Sequence, residues 1–156
     1  MGGDEIAADH RLRGAVDGEA LVAIRGVFER QAPFGTASLD DLVDPSLLVV
    51  TLNVGLREGA TGRFDIQWTV EGDYKFHYTE DDLDFRWGHH PHNGEYDVQG
   101  DAHFHPPPEA SSSPNEVEPS CFTVHQPKLV ARGVLKNWRA AYHSDVRELN
   151  SPDNTG

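Results

Sequence analysis

The stretch RFDIQWTVEGDYKFHYTEDDLDFRW, residues 63–87, determines the fold class. Bulky apolar residues alternate with polar ones in three successive runs, and Glu71-Gly72 and Glu80-Asp81 separate the runs. A period of two places neighbouring side chains on opposite faces of a strand. The stretch therefore predicts three antiparallel strands joined by tight turns, with one aromatic face and one polar face.

The flanking residues complete the predicted architecture. The run LLVVTLNVGL at 47–56 is apolar and β-branched, as in a strand. Asp17 is a candidate N-cap of a leading helix, and Pro127 opens a last helix with an apolar stripe from Ala131 to Tyr142. We expect an α+β fold: a four-strand antiparallel meander packed by the C-terminal helix, with a leading N-terminal helix and a long His-rich loop.

The length of 156 residues allows one domain. Residues 1–16 are small and polar, and residues 144–156 carry turn-forming residues without an apolar stripe. We expect both segments to be loose ends around a single α+β domain at 17–143. Inside that domain, a capping sequence predicts one helical turn at 39–43.

Charge dominates the composition. Asp and Glu number 26 against 13 Lys and Arg, which gives a formal net charge of -13. Excess carboxylate with scarce lysine is typical of halophilic proteins, so we expect a cytoplasm of high salt. At about 1 M salt the Debye length is about 3 Å, and the net charge then does not exclude a nucleic-acid partner.

Several classes of protein are unsupported by the sequence. No apolar run approaches the roughly 18 residues that cross a bilayer, and the N-terminus has no signal-peptide core, so we expect a cytoplasmic protein without a membrane partner. The single cysteine, Cys121, permits no internal disulfide, and we expect it to be a small buried apolar residue.

The register of the last two strands of the meander follows from their aromatic residues. The bulky residues have even numbers in the first of these strands and odd numbers in the second. They lie on one face only if each even-numbered residue pairs with an odd-numbered one, so that the two numbers add up to an odd value. A sum of 161 predicts that His77 lies opposite Asp84 and that Lys75 lies opposite Arg86, all on the polar face. Such a pairing suits an orienting partner for a catalytic histidine, and it equally suits ordinary cross-strand pairs on a solvated sheet.

Histidines are concentrated in and after this meander. Six of the nine histidines fall at 77–105. A neutral imidazole can accept the proton of a ribose 2′-hydroxyl while a protonated one donates to the leaving oxygen, and a guanidinium can hold the phosphate. The candidate catalytic residues are His77, Arg86, His92, His103 and His105. The candidate substrate-binding residues are Lys75, Arg132, Lys136 and Arg139.

The same histidines permit other interpretations. Imidazoles also bind zinc and other divalent metals, although their spacing here matches no closed zinc template. For this alternative the candidate metal ligands are His89, His90, His92, His103 and His105. A third interpretation is a polar loop with solvated histidines. The metal-free chemistry needs no cofactor, and a protein that uses it would be a metal-independent ribonuclease.

The last helix carries a basic stripe opposite its apolar one. No acidic residue occurs between Glu118 and Asp145, whereas Lys128, Arg132, Lys136 and Arg139 recur at helical spacing. Such a stripe is the usual solvent face of an amphipathic helix, or else a surface for phosphate or an acidic partner.

The residues at 74–105 resemble the TumE-type family of toxins from toxin–antitoxin pairs. The matching residues are Tyr74, Phe76 and His77, then Phe85, Arg86 and Trp87, then Pro91 and His92, and finally His103 and His105. The resemblance implies a growth-inhibiting toxin encoded beside a small antitoxin that occludes it. It also implies RNA or the translation machinery as the target.

We therefore expect a toxin-like protein that acts on RNA or translation by histidine and arginine chemistry. The alternative is a non-enzymatic interaction or divalent-metal-binding module that uses the histidines. A toxin that blocks its target by binding alone is a further possibility.

Overall fold

The computed structural model describes residues 12–151. Within them the chain forms two α-helices, a short 3₁₀ helix and one seven-stranded antiparallel sheet. The helices are α1 Gly18–Gln31 and α2 Pro127–His143, and the 3₁₀ helix is Val146–Asn150. The strands are β1 Gly35–Leu39, β2 Leu48–Leu52, β3 Gly62–Trp68, β4 Tyr74–Glu80, β5 Leu83–His89, β6 Ala102–His105 and β7 Glu118–Pro119.

The sheet is a simple meander, in which each strand pairs with the next along the chain. The predicted α+β class is confirmed, but the predicted count of four strands is wrong. The additional strands β1, β6 and β7 have no run of bulky alternating residues, so their sequences carry little strand signal. They form because the edges of the central hairpins offer unpaired backbone groups.

The predicted helical turn at 39–43 is also wrong. Leu39 ends β1, and the following residues make an irregular loop that returns to β2. The Asp40 carboxylate accepts the backbone N–H groups of Ser46 and Leu47 at 2.8 and 3.0 Å. Asp40 thus joins the two ends of the loop, and the helical turn predicted from Ser38 and Asp41 does not form.

The register between β4 and β5 differs from the prediction by two residues. Phe76 pairs with Trp87 and His77 pairs with Arg86, so the paired numbers sum to 163. The difference arises because the hairpin turn contains only Asp81 and Asp82 and the strands pair up to its edge. The predicted faces are retained, since the sum stays odd.

The aromatic face of the sheet forms the core together with both helices. The Phe28 ring of α1 lies 5.6 Å from the Phe64 ring of β3, and the Trp138 ring of α2 lies 6.3 Å from the Tyr78 ring of β4. All four side chains are buried. Neither α-helix of residues 12–151 lies on the opposite, polar face, and the chain after β5 folds over part of it.

Residues near both limits of the described part of the chain also contact the domain. Val16 bridges to Thr69, and Arg13 pairs with the buried Asp73 at 2.9 Å. Leu149 of the 3₁₀ helix is buried. Residues 1–11 and 152–156, which belong to the segments expected to be loose, lie outside the described residues. No helix between residues 12 and 151 is long and apolar enough to cross a membrane.

Candidate functional site

Three side chains form a row across the polar face, here called the central row: His77 on β4, Arg86 on β5 and His105 on β6. Arg86 is the direct cross-strand partner of both histidines. Directly paired residues of antiparallel strands lie side by side on the same face. The row places a guanidinium between two imidazoles, as the sequence predicted for Arg86 and the histidines in general terms.

His77 is the solvent-accessible end of the central row. Its ring is 29 % exposed, and its Nε2 is hydrogen-bonded to the Asp84 carboxylate. Since a carboxylate only accepts, Nε2 carries the hydrogen, and in the neutral ring Nδ1 carries the lone pair. Asp84 contacts His77 from a diagonal position, because it pairs with Thr79, two residues along β4 from His77. The predicted partner is therefore present although the predicted register is wrong.

His105 is the buried end of the central row. Its Nδ1–H donates to the Ser111 carbonyl at 2.9 Å, and its Nε2 accepts from Arg86 Nη2 at 3.3 Å. Both ring nitrogens are thus engaged when the imidazole is neutral. The arrangement holds the Arg86 guanidinium in place from its inner side.

Behind the central row lies a compact group, here called the imidazole cluster: His90, His92, His103 and His105 with Tyr96. The His103 ring is 4.5 Å from His90 and 5.0 Å from His105, measured between ring centroids. The Tyr96 ring is 5.2 Å from that of His103. All five side chains are buried. The histidines of the loop are therefore packed together, and the interpretation as a solvated loop does not describe them.

Backbone carbonyls fix the ring orientation throughout the imidazole cluster. His90 donates from Nδ1 to the Pro91 carbonyl at 2.9 Å, and His92 donates from Nε2 to the Gly100 carbonyl at 2.8 Å. His103 donates from Nδ1 to the Asp101 carbonyl at 2.8 Å. In the neutral form of each ring, the other nitrogen carries the lone pair. Within residues 12–151, His92 Nδ1 and His103 Nε2 are buried without a hydrogen-bond partner.

His103 lies directly over Gly88 of β5. A Cβ atom at Gly88 would stand only 2.9 Å from His103 Nε2, so the missing side chain makes room for the ring. Burial, together with the neighbouring His90 and His105, lowers the pKa of His103 to about 3. The ring is therefore neutral at neutral pH and does not donate a proton to a leaving group there.

His89 belongs to a different environment on the aromatic face. Its ring stacks on His125 with centroids 4.2 Å apart and on Tyr74 at 5.5 Å. Burial is the main reason that its pKa is lowered. Its Nδ1 is 3.6 Å from the buried carboxylate of Asp73. Burial by itself would raise the pKa of Asp73, but hydrogen bonds from Arg13 outweigh it and lower that pKa.

The structure separates the five candidate metal ligands. His89 points to the aromatic face, whereas the other four histidines form the imidazole cluster. The carboxylates of Glu95, Asp97 and Glu109 belong to exposed residues. Across the described part of the chain, no group of three His, Cys, Asp or Glu side chains has a geometry that could hold a metal ion.

The candidate substrate-binding cations fall on two sides of the molecule. Lys75 is two residues from His77 on β4, so it shares the polar face with the central row. Arg132, Lys136 and Arg139 lie on α2, which covers the aromatic face. Lys75 is therefore on the same face of the sheet as Arg86, whereas the cations of α2 lie on the other side of the sheet.

Cys121 is half-buried, and its sulfur accepts a hydrogen bond from Asn137 Nδ2 at 3.1 Å. Burial raises the pKa of the thiol to about 11. The thiol is therefore protonated at neutral pH and is a weak nucleophile.

Sequence reasoning missed two residues that shape the site. Tyr96 occupies the centre of the imidazole cluster, and it was recognisable as the only Phe, Tyr or Trp in the polar loop between Trp87 and His103. Gly88 supports His103, and its signal was an interruption of the side-chain alternation in β5.

Comparison with known families gives a match that includes the residues of the central row and the imidazole cluster. The family profile described as Toxin TumE matches residues 34–132, which is more than half of the chain. The matched range extends from just before β1 into α2, so it contains the central row and the imidazole cluster. No curated protein and no solved structure gives a significant match.

Proposed function

This chain belongs to the TumE toxin family and is the toxin of a toxin–antitoxin pair; on that premise we propose that it cleaves RNA at the central row. The observation that carries the proposal is the row itself, in which a guanidinium stands beside a partly exposed imidazole that a carboxylate orients. This combination supplies a base and an anion-binding group within one sheet face.

In the proposed reaction His77 is the general base. Its Nδ1 takes the proton of a ribose 2′-hydroxyl, and the 2′ oxygen attacks the adjacent phosphorus. The bond from phosphorus to the 5′ oxygen breaks, which leaves a 2′,3′-cyclic phosphate. The departing 5′ oxygen takes a proton from solvent or from the Lys75 ammonium, so protons and charge balance.

Arg86 has the electrostatic role in this scheme. A planar guanidinium binds two phosphate oxygens at once and stabilises the charge that develops on them. His105 accepts a hydrogen bond from Arg86 on its buried side, so it is a positioning residue. His92 and His103 are buried as well and support this arrangement through the imidazole cluster.

The test is cleavage of an end-labelled synthetic RNA by purified protein in the presence of EDTA. We expect His77→Ala and Arg86→Ala each to reduce the rate at least about 100-fold, because general-base catalysis and charge stabilisation typically contribute that much. Arg86→Lys retains the charge but loses the two-pronged contact, and we expect an intermediate rate. Thermal melting of each variant checks the fold.

Matched controls come from exposed residues of the same types, His143 on α2 and Arg147 in the 3₁₀ helix. Alanine at either position leaves the rate within about twofold of the parent if the central row is the site. Parent-like cleavage by His77→Ala would contradict the role of this histidine, and complete loss of activity in EDTA would contradict metal-independent chemistry.

A metal-binding module is the second candidate, and one observation favours it. Histidines that bind metals usually donate their other ring N–H to a carbonyl or carboxylate, as the histidines of the imidazole cluster do. Binding under this alternative would require the rings to move, because no three potential ligands among the described residues have a geometry that could hold a metal. Elemental analysis of protein purified without a tag gives near-stoichiometric metal under this alternative.

A further inference from the structure

Large apolar side chains stand in solvent beside the start of α1. Val43 is 94 % exposed, Leu42 is 79 % exposed and Val70 is 62 % exposed. Together with Val22 they line a groove of about 610 Å³, here called the α1 groove. Scattered single apolar residues are normal on a protein surface, but a contiguous set marks an interaction site.

The loop that carries two of these residues is held by its own side chains. Asp40 accepts the N–H of Ser46 at 2.8 Å, and Asp41 accepts the N–H of Val43 at 2.8 Å. These bonds fix a conformation in which Leu42 and Val43 point away from the core. A loop that is ordered before binding loses less conformational entropy when a partner docks.

The border of the α1 groove is acidic. Asp17, Glu19 and Asp44 line it, and no Lys or Arg does so within the described residues. The whole chain carries a formal charge of -13. A partner with Lys or Arg beside its apolar side chains is therefore electrostatically complementary to the groove.

Charge disfavours the two other polypeptides that could fill the groove. A second copy that docked by the same groove would bring two acidic borders together, and like charges at an interface are costly. The chain's own residues 1–11 carry three acidic residues, Asp4, Glu5 and Asp9, against Arg11, with only Met1 and Ile6 as large apolar residues. Neither this segment nor a copy docked groove to groove offers the basic, apolar pattern that the groove requires.

We propose that the α1 groove is the docking site of the antitoxin that membership of a toxin family implies. The docking segment is amphipathic, with apolar side chains over Leu42 and Val43 and with Lys or Arg facing the acidic border. This inference does not depend on RNA cleavage, because the groove shares no residue with the central row.

The experiment measures, by titration calorimetry, binding of the full chain to the protein encoded by the adjacent gene. We expect the double variant Leu42→Ser/Val43→Ser to weaken the affinity at least about tenfold, since it removes the apolar surface that the partner would bury there. Because both side chains are in solvent, the fold stays intact. The matched control, Val124→Ser/Leu129→Ser, removes exposed apolar residues elsewhere and stays within about twofold of the parent.

A second experiment tests the contribution of the acidic border of the α1 groove. Asp44→Lys weakens binding at low salt, and the difference from the parent shrinks as salt screens the border. Parent-like affinity of the Leu42→Ser/Val43→Ser variant, or absence of any complex with the parent chain, would overturn the proposal. A parent dimer in light scattering that this variant abolishes would assign the groove to a second copy instead. RNA cleavage by the variant remains at the parent rate, so a failure here is separate from a failure of the proposed chemistry.

Discussion

At the scale of single residues, the predicted contact between His77 and Asp84 is present although the predicted strand register is wrong. Residues 77 and 84 were predicted to pair directly, and the structure joins them diagonally. The contact forms because side chains at diagonal positions of neighbouring strands share a face and an imidazole is long enough to reach its diagonal neighbour. Arg86, predicted opposite Lys75, instead lies directly opposite His77.

Gly88→Ala tests the support of His103. The added Cβ would meet His103 Nε2 at 2.9 Å in a buried position, so ring or strand must move. We expect a loss of about 1–3 kcal/mol in the free energy of unfolding, measured by denaturant titration, with reduced RNA cleavage. Gly26→Ala is the control, because its Cβ meets only the flexible Arg30 side chain in α1, and it should be neutral or slightly stabilising.

Acid should destabilise the protein through the same histidine. The pKa of His103 is about 3 in the folded chain and near 6.5 in the unfolded one, so the unfolded state binds more protons between these values. Stability therefore rises with pH across this window and is lost as the pH falls, by at most about 1.4 kcal/mol per pH unit from this group.

Two measurements check this dependence. In nuclear magnetic resonance, the His103 ring signals should show no protonation between pH 8 and pH 4. In denaturant titrations, His103→Gln should flatten the stability profile between pH 4.5 and pH 6.5. A His103 midpoint near 6.5 in the folded protein would contradict both the burial and the neutral state of this ring.

At the scale of secondary-structure elements, side-chain hydrogen bonds determine the shape of the loop after β1, where the sequence wrongly predicted a helical turn. The residues after β1 contain serine and aspartates, which suit both helix caps and Asx turns. Asp40 closes the loop because β1 pairs with β2 and brings the two loop ends together. That pairing depends on residues distant from the capping sequence.

Asp40→Ala should loosen this loop. It removes the acceptor for the backbone N–H groups of Ser46 and Leu47. We expect hydrogen exchange at these two amides to accelerate at least about tenfold, with little change in global stability. Asp82→Ala in the exposed β4–β5 turn is the control and leaves the exchange of both amides unchanged. Unchanged exchange in Asp40→Ala would show that the carboxylate does not organise the loop.

At the scale of the whole molecule, the layers separate two groups of cations. The sheet lies between the central row and α2, so Arg132 and Lys136 face away from the proposed site. A double substitution of these two residues by Gln should leave RNA cleavage within about threefold of the parent. Lys75→Gln should raise the KM for RNA at least about fivefold, because this cation shares the polar face with Arg86.

These two variants can be compared in one salt series. The Lys75→Gln effect should decrease as salt increases, since screened phosphate contacts contribute less. A larger loss from the α2 double variant than from Lys75→Gln would place the RNA on the opposite layer and would contradict the proposed site.

The sequence by itself determined the faces of the sheet, the two helices and the grouping of histidines with Arg86. These depend on periodicity and on neighbours close in the chain, which local patterns record. Only the tertiary structure decided the register, the short strands β1, β6 and β7, and the separation of His89 from the imidazole cluster. The register depends on which two residues form the turn, and the alternation leaves this open because a shift of two residues keeps the same faces. The short strands and the position of His89 depend on contacts with other segments of the chain, which a local pattern does not record.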